Sequence, residues 1–570
     1  MPETVNCPDP GPQTPLQLWR RADTLFLVAL LLFAGGMRLW HWNHTEVTAR
    51  DSIGYIRMAW RLGTEPFAKV VKESHQHPGY PFALLATAKL LGHNPASFDS
   101  FHPDPKAPWQ FQRAAQLLSS GASTLLVIPM FLLGRMGFGS LYSFWACLLF
   151  QSLPAAGRLF TDGLSEGLFL LFAAIALLGA WMSLASFQRN SGQRNSGQGN
   201  SGQGNSGRPV MWALVTGLFS GLSYLVRPEG LFIGGWTIIG LAILVWKQGT
   251  HRKQRLIQMA VLASGLLLIG GPYMATIGHI TSKPTAKQIL EGEASTGTSG
   301  QSPRSPFLAP TAPLALSVPL AVWWEGGSEG ALDRTIWGVH ALVYNWVKGM
   351  FWVLWFPVLW TLWRFRTNWG NSWMLPLWGL VVTLLVALFK VASQMGYLSD
   401  RHLIFLLLLG CYPAISGIFG LLGPTIRRLL LAGWSRLGEK LPSLVITGVV
   451  ALALTRTLEP LHAHRAGFRE AGEWIAQNSR PGDPVVDGFC WTHYHAGRVF
   501  TEVGPKGIPI SDPSVQFIVI ERSNNKHARL KTFKEENLQA QGGKVVWTST
   551  PRKDESTVVI YRVPWDKPKE

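Results

Sequence analysis

The chain has 570 residues, 47% hydrophobic and only 15% charged, well below the roughly 25% charged residues of soluble domains, which excludes a wholly soluble protein. Its formal net charge of +18 comes without a nucleic-acid-binding motif. The Lys and Arg residues gather in short loops between apolar runs, where they set membrane topology and meet anionic lipid.

In chain order, a polar tail at 1–21 precedes an apolar run at about 22–42. Uncharged stretches follow at 114–134, 136–157, 167–188, 209–226, 256–282, 367–389 and 402–426, each near the ~20 residues a membrane helix needs. Shorter or interrupted runs at about 230–246, 338–363 and 441–456 also read as spanning, with terminal Arg or Lys snorkelling to the interface. The total is about eleven predicted transmembrane helices within 22–456. The stretch 305–324 is uncharged too, but Pro306, Pro310, Pro313 and Pro319 would each remove a helical hydrogen bond that lipid cannot replace, so it reads as a loop.

The linker 189–208 repeats Asn-Ser-Gly-Gln units, too polar and Gly-rich to bury a core. The long loops lie at about 43–111 and 281–337. Basic residues at Arg20 and Arg21, Arg135, Arg189 and Arg194, the Lys247–Arg255 cluster, Arg364 and Arg366, and Arg427 and Arg428 fall on alternate loops. That places the N-terminus in the cytoplasm, and the first apolar run, lacking a small-x-small cleavage site, reads as a retained span. An odd number of spans then puts the segment 457–570 outside. Its apolar pattern predicts a helix around Phe468–Ile475, strands at Val485-Val486 and Val515–Ile520, a basic helix at about 527–538, and strands near 544–548 and 557–563: a small extracytoplasmic α/β domain. Cys7, Cys147, Cys411 and Cys490 fall in separate regions and form no disulfide framework.

Polar residues collect on the predicted outer face. Asp51 opens an amphipathic helix carrying Ile53, Ile56, Met58, Ala59 and Leu62, and reads as its N-cap as well as a candidate catalytic carboxylate. His75 and His77, with Pro78, Tyr80 and Pro81, mark an interfacial turn that starts a helix; a His-x-His pair could also hold a divalent metal if a third ligand came from elsewhere. Asp162 and Glu166 stand at i and i+4 where the fourth span begins, and a carboxylate at the membrane edge is costly enough to suggest function. Arg227, Pro228 and Glu229 form a tight reversal, in which the two charges could pair with each other, and Arg401 opens span ten, as an anchor or a phosphate ligand.

This order of segments resembles the polytopic glycosyltransferases of the GT-C fold, specifically the bacterial relatives of protein O-mannosyltransferases and aminoarabinose transferases (family 39-like). The matching pieces are Asp51-x-x-x-Tyr55, His77-Pro78-Gly79-Tyr80-Pro81, Leu164-Ser165-Glu166-Gly167-Leu168, Arg227-Pro228-Glu229-Gly230, Asp400-Arg401-His402 and Tyr494-His495-Ala496-Gly497-Arg498. The resemblance implies a multi-pass enzyme of the cell (inner) membrane that moves a sugar from a polyprenyl-phosphate donor to a lipid, protein or polysaccharide hydroxyl outside the membrane, with inversion. It implies Asp51 as the catalytic carboxylate and a second acid at Glu166, where the Ser-acid-x-Leu context matches, or at Asp162. Tyr55, His75, His77, Tyr80, Arg227, Glu229 and Arg401 then become candidate substrate-binding residues. Two other readings belong to the same residues: a lipid or solute transporter, which would show duplicated halves that this chain lacks, and an oligosaccharide ligase using a lipid-diphosphate donor.

Overall fold

The computed structural model describes residues 19–93, 107–185, 207–247, 251–283, 331–364, 366, 374–395, 398–431, 435–480, 483, 485–487, 490–498, 515–522, 535–550 and 557–564. The architecture is a helical membrane bundle with a small C-terminal sheet. Helix α1 covers Arg21–Asn43, and three short helices follow: α2 Arg50–Thr64, α3 Phe67–Glu73 and α4 Gly79–Leu90. The bundle continues with α5 Ala107–Leu125, α6 Val127–Phe138, α7 Ser140–Ser152, α8 Pro154–Leu159, α9 Glu166–Ala185, α10 Gly207–Val226, α11 Gly230–Lys247 and α12 Arg252–Ile277. Next come α13 Ala331–Gly349, α14 Trp355–Arg364, α15 Leu375–Met395, a 3₁₀ turn Asp400–Leu403, α16 Ile404–Leu431 and α17 Ser435–Thr457.

Among the described residues nine segments are long and apolar enough to cross a membrane, two fewer than the sequence suggested. The two missing ones are broken helices. In the run 136–157, Pro154 forces extended backbone on Leu153 (φ −62°, ψ 133°) and separates α7 from α8. In the run 338–363, Phe351 and Trp352 adopt left-handed backbone (φ 51° and 59°), which ends α13 before α14 begins. The predicted loop 305–324 and the linker repeat lie outside the described residues.

Ion pairs identify the two ends of the bundle. Asp23 at the start of α1 pairs with Arg135 near the end of α6 at 3.1 Å. At the opposite end Thr45, just past α1, forms a parallel bridge with Leu461, just past α17, and Arg158 of α8 pairs with Glu459 at 3.0 Å. The C-terminal domain therefore sits at the end of the bundle where α1 finishes and α2 begins. Close helix approach there needs glycine: a Cβ on Gly79 would lie 2.7 Å from the Leu225 carbonyl at the end of α10.

In the C-terminal domain, α18 Ala466–Asn478 and α19 Trp491–His495 accompany a four-stranded sheet, with α20 Glu535–Ala540 alongside. The sheet order is β1 (Val485–Asp487), β2 (Val515–Arg522), β4 (Thr557–Pro564), β3 (Lys544–Thr548); β1 and β2 run parallel and the other pairs antiparallel. Alternation along β2 and β4 sends Ile518, Ile520, Val559 and Tyr561 to one core and Phe517, Val519, Val558 and Ile560 to the other, where α18 adds Phe468, Ala471 and Ile475. Of the expected basic helix, the part at 527–534 lies outside the described residues.

Candidate active site

Helix α2 buries Ile53, Ile56, Met58, Ala59 and Trp60, and this apolar side fixes the direction of its polar side. Its N-cap is Ala49, so Asp51 is not the cap that the sequence suggested; it lies inside the first turn, where the positive helix end still favours a carboxylate. Asp51 forms an ion pair with Arg401 of the 3₁₀ turn before α16, and the two side chains keep 42% and 28% of their surface accessible. Burial works to raise the Asp51 pKa, but the adjoining Arg401 guanidinium outweighs it and holds the carboxyl below the usual carboxylate range.

A second, drier cluster lies alongside. Glu166, the first residue of α9, pairs with Arg227 at 2.7 Å, and Arg227 also reaches Glu229 at 3.1 Å. Glu166 and Arg227 are buried, and Glu166 Oε2 has no hydrogen-bond partner among the described residues. Burial pushes the Glu229 carboxyl up and Arg227 pulls it down harder, leaving it well below its ordinary value. With two carboxylates on it, Arg227 is committed, and the triad carries a net negative charge.

Tyr55 joins the two clusters. Its hydroxyl lies 3.0 Å from Ser165 Oγ, beside Glu166, and its ring meets Tyr80 edge-on at 5.0 Å. Burial first, and then the negative charge of Glu166, push the Tyr55 phenol up in pKa. Tyr80 is fully buried and bonds Ser119 Oγ at 2.8 Å, so its place is in the packing under the site.

His77 has a different role from the one its sequence context suggested. Its Nδ1 donates to the Tyr224 carbonyl at 2.8 Å and its Nε2 pairs with Thr281 Oγ1 at 2.8 Å, while burial lowers its pKa to about 3 and keeps it neutral. Both ring nitrogens are thus used, His75 is exposed, and the His-x-His pair is no ligand set. Among the described residues no group of three or more His, Cys, Asp or Glu side chains could hold a metal ion. Asp162 also stands apart from Asp51 and Glu166 in its contacts: its carboxylate accepts from the Ala49 amide at 2.9 Å and from His462 Nε2 at 2.9 Å.

The residue that the sequence reading missed is Lys283. The Thr281 hydroxyl accepts from the Lys283 amide at 3.2 Å, Tyr273 bonds Ser282 at 3.0 Å, and the Tyr224 hydroxyl donates to the Ile280 carbonyl. These anchors deliver the Lys283 side chain into the field of Glu229, Arg227, Arg401 and Glu166; burial lowers its pKa to about 8. Its signal was faint: one cation just past the end of α12.

A bundle of this kind, with a short amphipathic helix at the membrane face and a sheet domain capping the same end, has the GT-C fold of polytopic membrane glycosyltransferases. The likeness is to ArnT from Cupriavidus metallidurans bound to undecaprenyl phosphate, at TM-score 0.53 and 12% identity over 95% of this chain and 98% of that one. The apo state of the same protein gives 0.52. The oligosaccharyltransferase of Archaeoglobus fulgidus in its apo form gives 0.49 at 13% identity over 84% of this chain, which spans 63% of that protein's length. No protein-family model and no curated protein matches the sequence.

Proposed function

We propose that the protein is a membrane glycosyltransferase that transfers a sugar from a polyprenyl-phosphate donor to an acceptor hydroxyl, at the membrane face where Asp51 lies. The observation that carries this reading is the solvent-accessible Asp51–Arg401 pair, a carboxylate and a guanidinium held together at the end of a GT-C bundle. The fold's occurrence in ArnT bound to undecaprenyl phosphate supports a polyprenyl-phosphate partner. The alternating Lys and Arg loops support a cytoplasmic N-terminus, a transferase domain at 22–456 and an extracytoplasmic domain at 457–570.

The acceptor oxygen attacks the anomeric carbon as the bond from that carbon to the phosphate oxygen breaks. Asp51 takes the hydroxyl proton, and the electron pair of the broken bond leaves with the lipid phosphate. Arg401, once drawn from Asp51, and Lys283 can meet that growing charge, whereas Arg227 is held by two carboxylates, Glu166 and Glu229. A phosphate that draws Arg401 away from Asp51 removes the charge that depresses the carboxyl, and so makes Asp51 a better base when donor is bound. Direct displacement inverts the anomeric centre.

The test is transfer by the purified protein from a panel of radiolabelled polyprenyl-monophosphate sugars, with lipid-diphosphate donors alongside, for wild type and Asp51→Asn. Transfer from a monophosphate donor, inverted by NMR and lost in Asp51→Asn, is expected. Full activity in the variant, or retained configuration, removes the reading.

A further inference from the structure

The segment that feeds α2, residues 44–49, is held almost entirely by groups outside it. Leu461 donates its amide to the His44 carbonyl at 2.9 Å and accepts from the Glu46 amide at 3.2 Å. Arg469 of α18 pairs with Glu46 at 2.5 Å. The Trp491 indole N–H donates to the Thr48 carbonyl at 2.9 Å, and the Thr48 hydroxyl donates to the Asp162 carbonyl at 3.3 Å. Finally the Asp162 carboxylate receives the Ala49 amide, two residues before Asp51, while His462 holds that carboxylate from the other side.

We infer that the C-terminal domain and the turn before α9 together form the mould that sets the position of Asp51, with Asp162 of that turn and His462 and Trp491 of the C-terminal domain as positioning residues. The inference rests on the reading of Asp51 given above. It also explains why both carboxylate oxygens of Asp162 are occupied in a 6% exposed site. Two backbone outliers coincide with the contact points: His462 itself (φ 54°) and Cys490 (φ 67°), immediately before Trp491. Left-handed backbone at non-glycine residues persists only where its surroundings over-determine it. The indole is fixed in turn, with Phe468 at 5.6 Å and the Arg465 guanidinium 5.1 Å over its ring.

Misplacing a catalytic group by about 1 Å can cost ~10²-fold in rate. Asp162→Ala removes the acceptor for the Ala49 amide, so kcat is expected to fall ~10²-fold with the donor KM within about twofold. Asp162→Asn keeps an acceptor oxygen and can meet His462 in either tautomer, so it should recover to within about tenfold of wild type; Trp491→Phe should lose about tenfold. Amide hydrogen exchange over residues 46–54, read on the full-length protein in detergent, should quicken in Asp162→Ala and Trp491→Phe while the exchange of α9 and α10 stays as in wild type. Asp162→Asn as inactive as Asp51→Asn would make Asp162 a participant in the chemistry and overturn the inference. So would unchanged activity and exchange in both Asp162→Ala and Trp491→Phe. If Asp51→Asn keeps full activity, the transferase reading fails instead, and the exchange measurement still decides whether the mould exists.

Discussion

Asp51 and Arg401 are ion-paired across the site, joining the first turn of α2 to the turn that opens α16. Neither is deeply buried, so the pair adds little to stability, and its significance is chemical. Asp51→Asn keeps the size and one acceptor oxygen but cannot take a proton. Turnover is expected to fall ~10²–10⁴-fold, with donor affinity largely kept. Arg401→Gln removes a cation from the departing phosphate and should raise the donor KM as well as lower kcat. Steady-state kinetics with a fixed acceptor separates the two patterns.

Glu166 and Arg227 should behave otherwise, because their pair is buried at 2% and 8% side-chain exposure. Stranding one partner of a buried pair costs ~3–5 kcal/mol. Glu166→Gln leaves Arg227 its second carboxylate, Glu229, so a smaller loss of about 2 kcal/mol is expected. A double-mutant cycle of Glu166→Gln and Arg227→Gln, read by denaturation in detergent, should return a coupling of roughly 1–3 kcal/mol. Additive losses would show that the pair carries no stability.

Much of the bundle was legible because membrane crossing demands long apolar runs, and the amphipathic period of α2 gave its facing as well. The breaks at Leu153 and at residues 350–354 were not, since Pro154 looks like any helix-tolerated proline until its neighbours are seen, and the left-handed Phe351 and Trp352 have no sequence signature. The site was legible in its residue types but not in its pairings. Spacing could gather Asp51, Glu166, Arg227 and Arg401 on one face; which cation each carboxylate takes depends on contacts between distant helices. For the same reason His77 passed as a substrate ligand, although Tyr224 and Thr281 occupy both of its nitrogens. Lys283 was overlooked because its placement comes from the Thr281, Ser282 and Ile280 anchors and not from any motif.

Lys283 offers a pH test. Its pKa is lowered to about 8, first by burial, with Arg227 and Arg401 adding to the shift and Glu229 and Glu166 opposing it. The ammonium is therefore mostly charged at pH 7 and lost as pH rises through about 8. If it holds donor phosphate, kcat/KM for the donor should decline over that range. Lys283→Arg, with a guanidinium that stays charged, should flatten the decline. The same alkaline limb in Lys283→Arg would assign it to another group.

Stability should fall on mild acidification, and the cause would be histidine. His77 and His495 are buried, and burial lowers each to about 3, far below the ~6.5 of an exposed imidazole. Between those values the unfolded chain binds protons that the folded chain refuses. The stabilisation is therefore complete above about pH 6.5 and is lost as pH falls towards 3, at up to ~1.4 kcal/mol per pH unit for each group. Carboxylates with depressed pKa values, such as Glu65 at about 2 beside Arg61, act in the same direction but only below about pH 4.5. Denaturation in detergent between pH 7 and 5 thus isolates the histidines. His77→Gln, which can still donate to Tyr224 and accept from Thr281, should reduce the slope by about one proton's share. An unchanged slope in that variant would mean that His77 is protonated in the folded protein, contrary to what its burial demands.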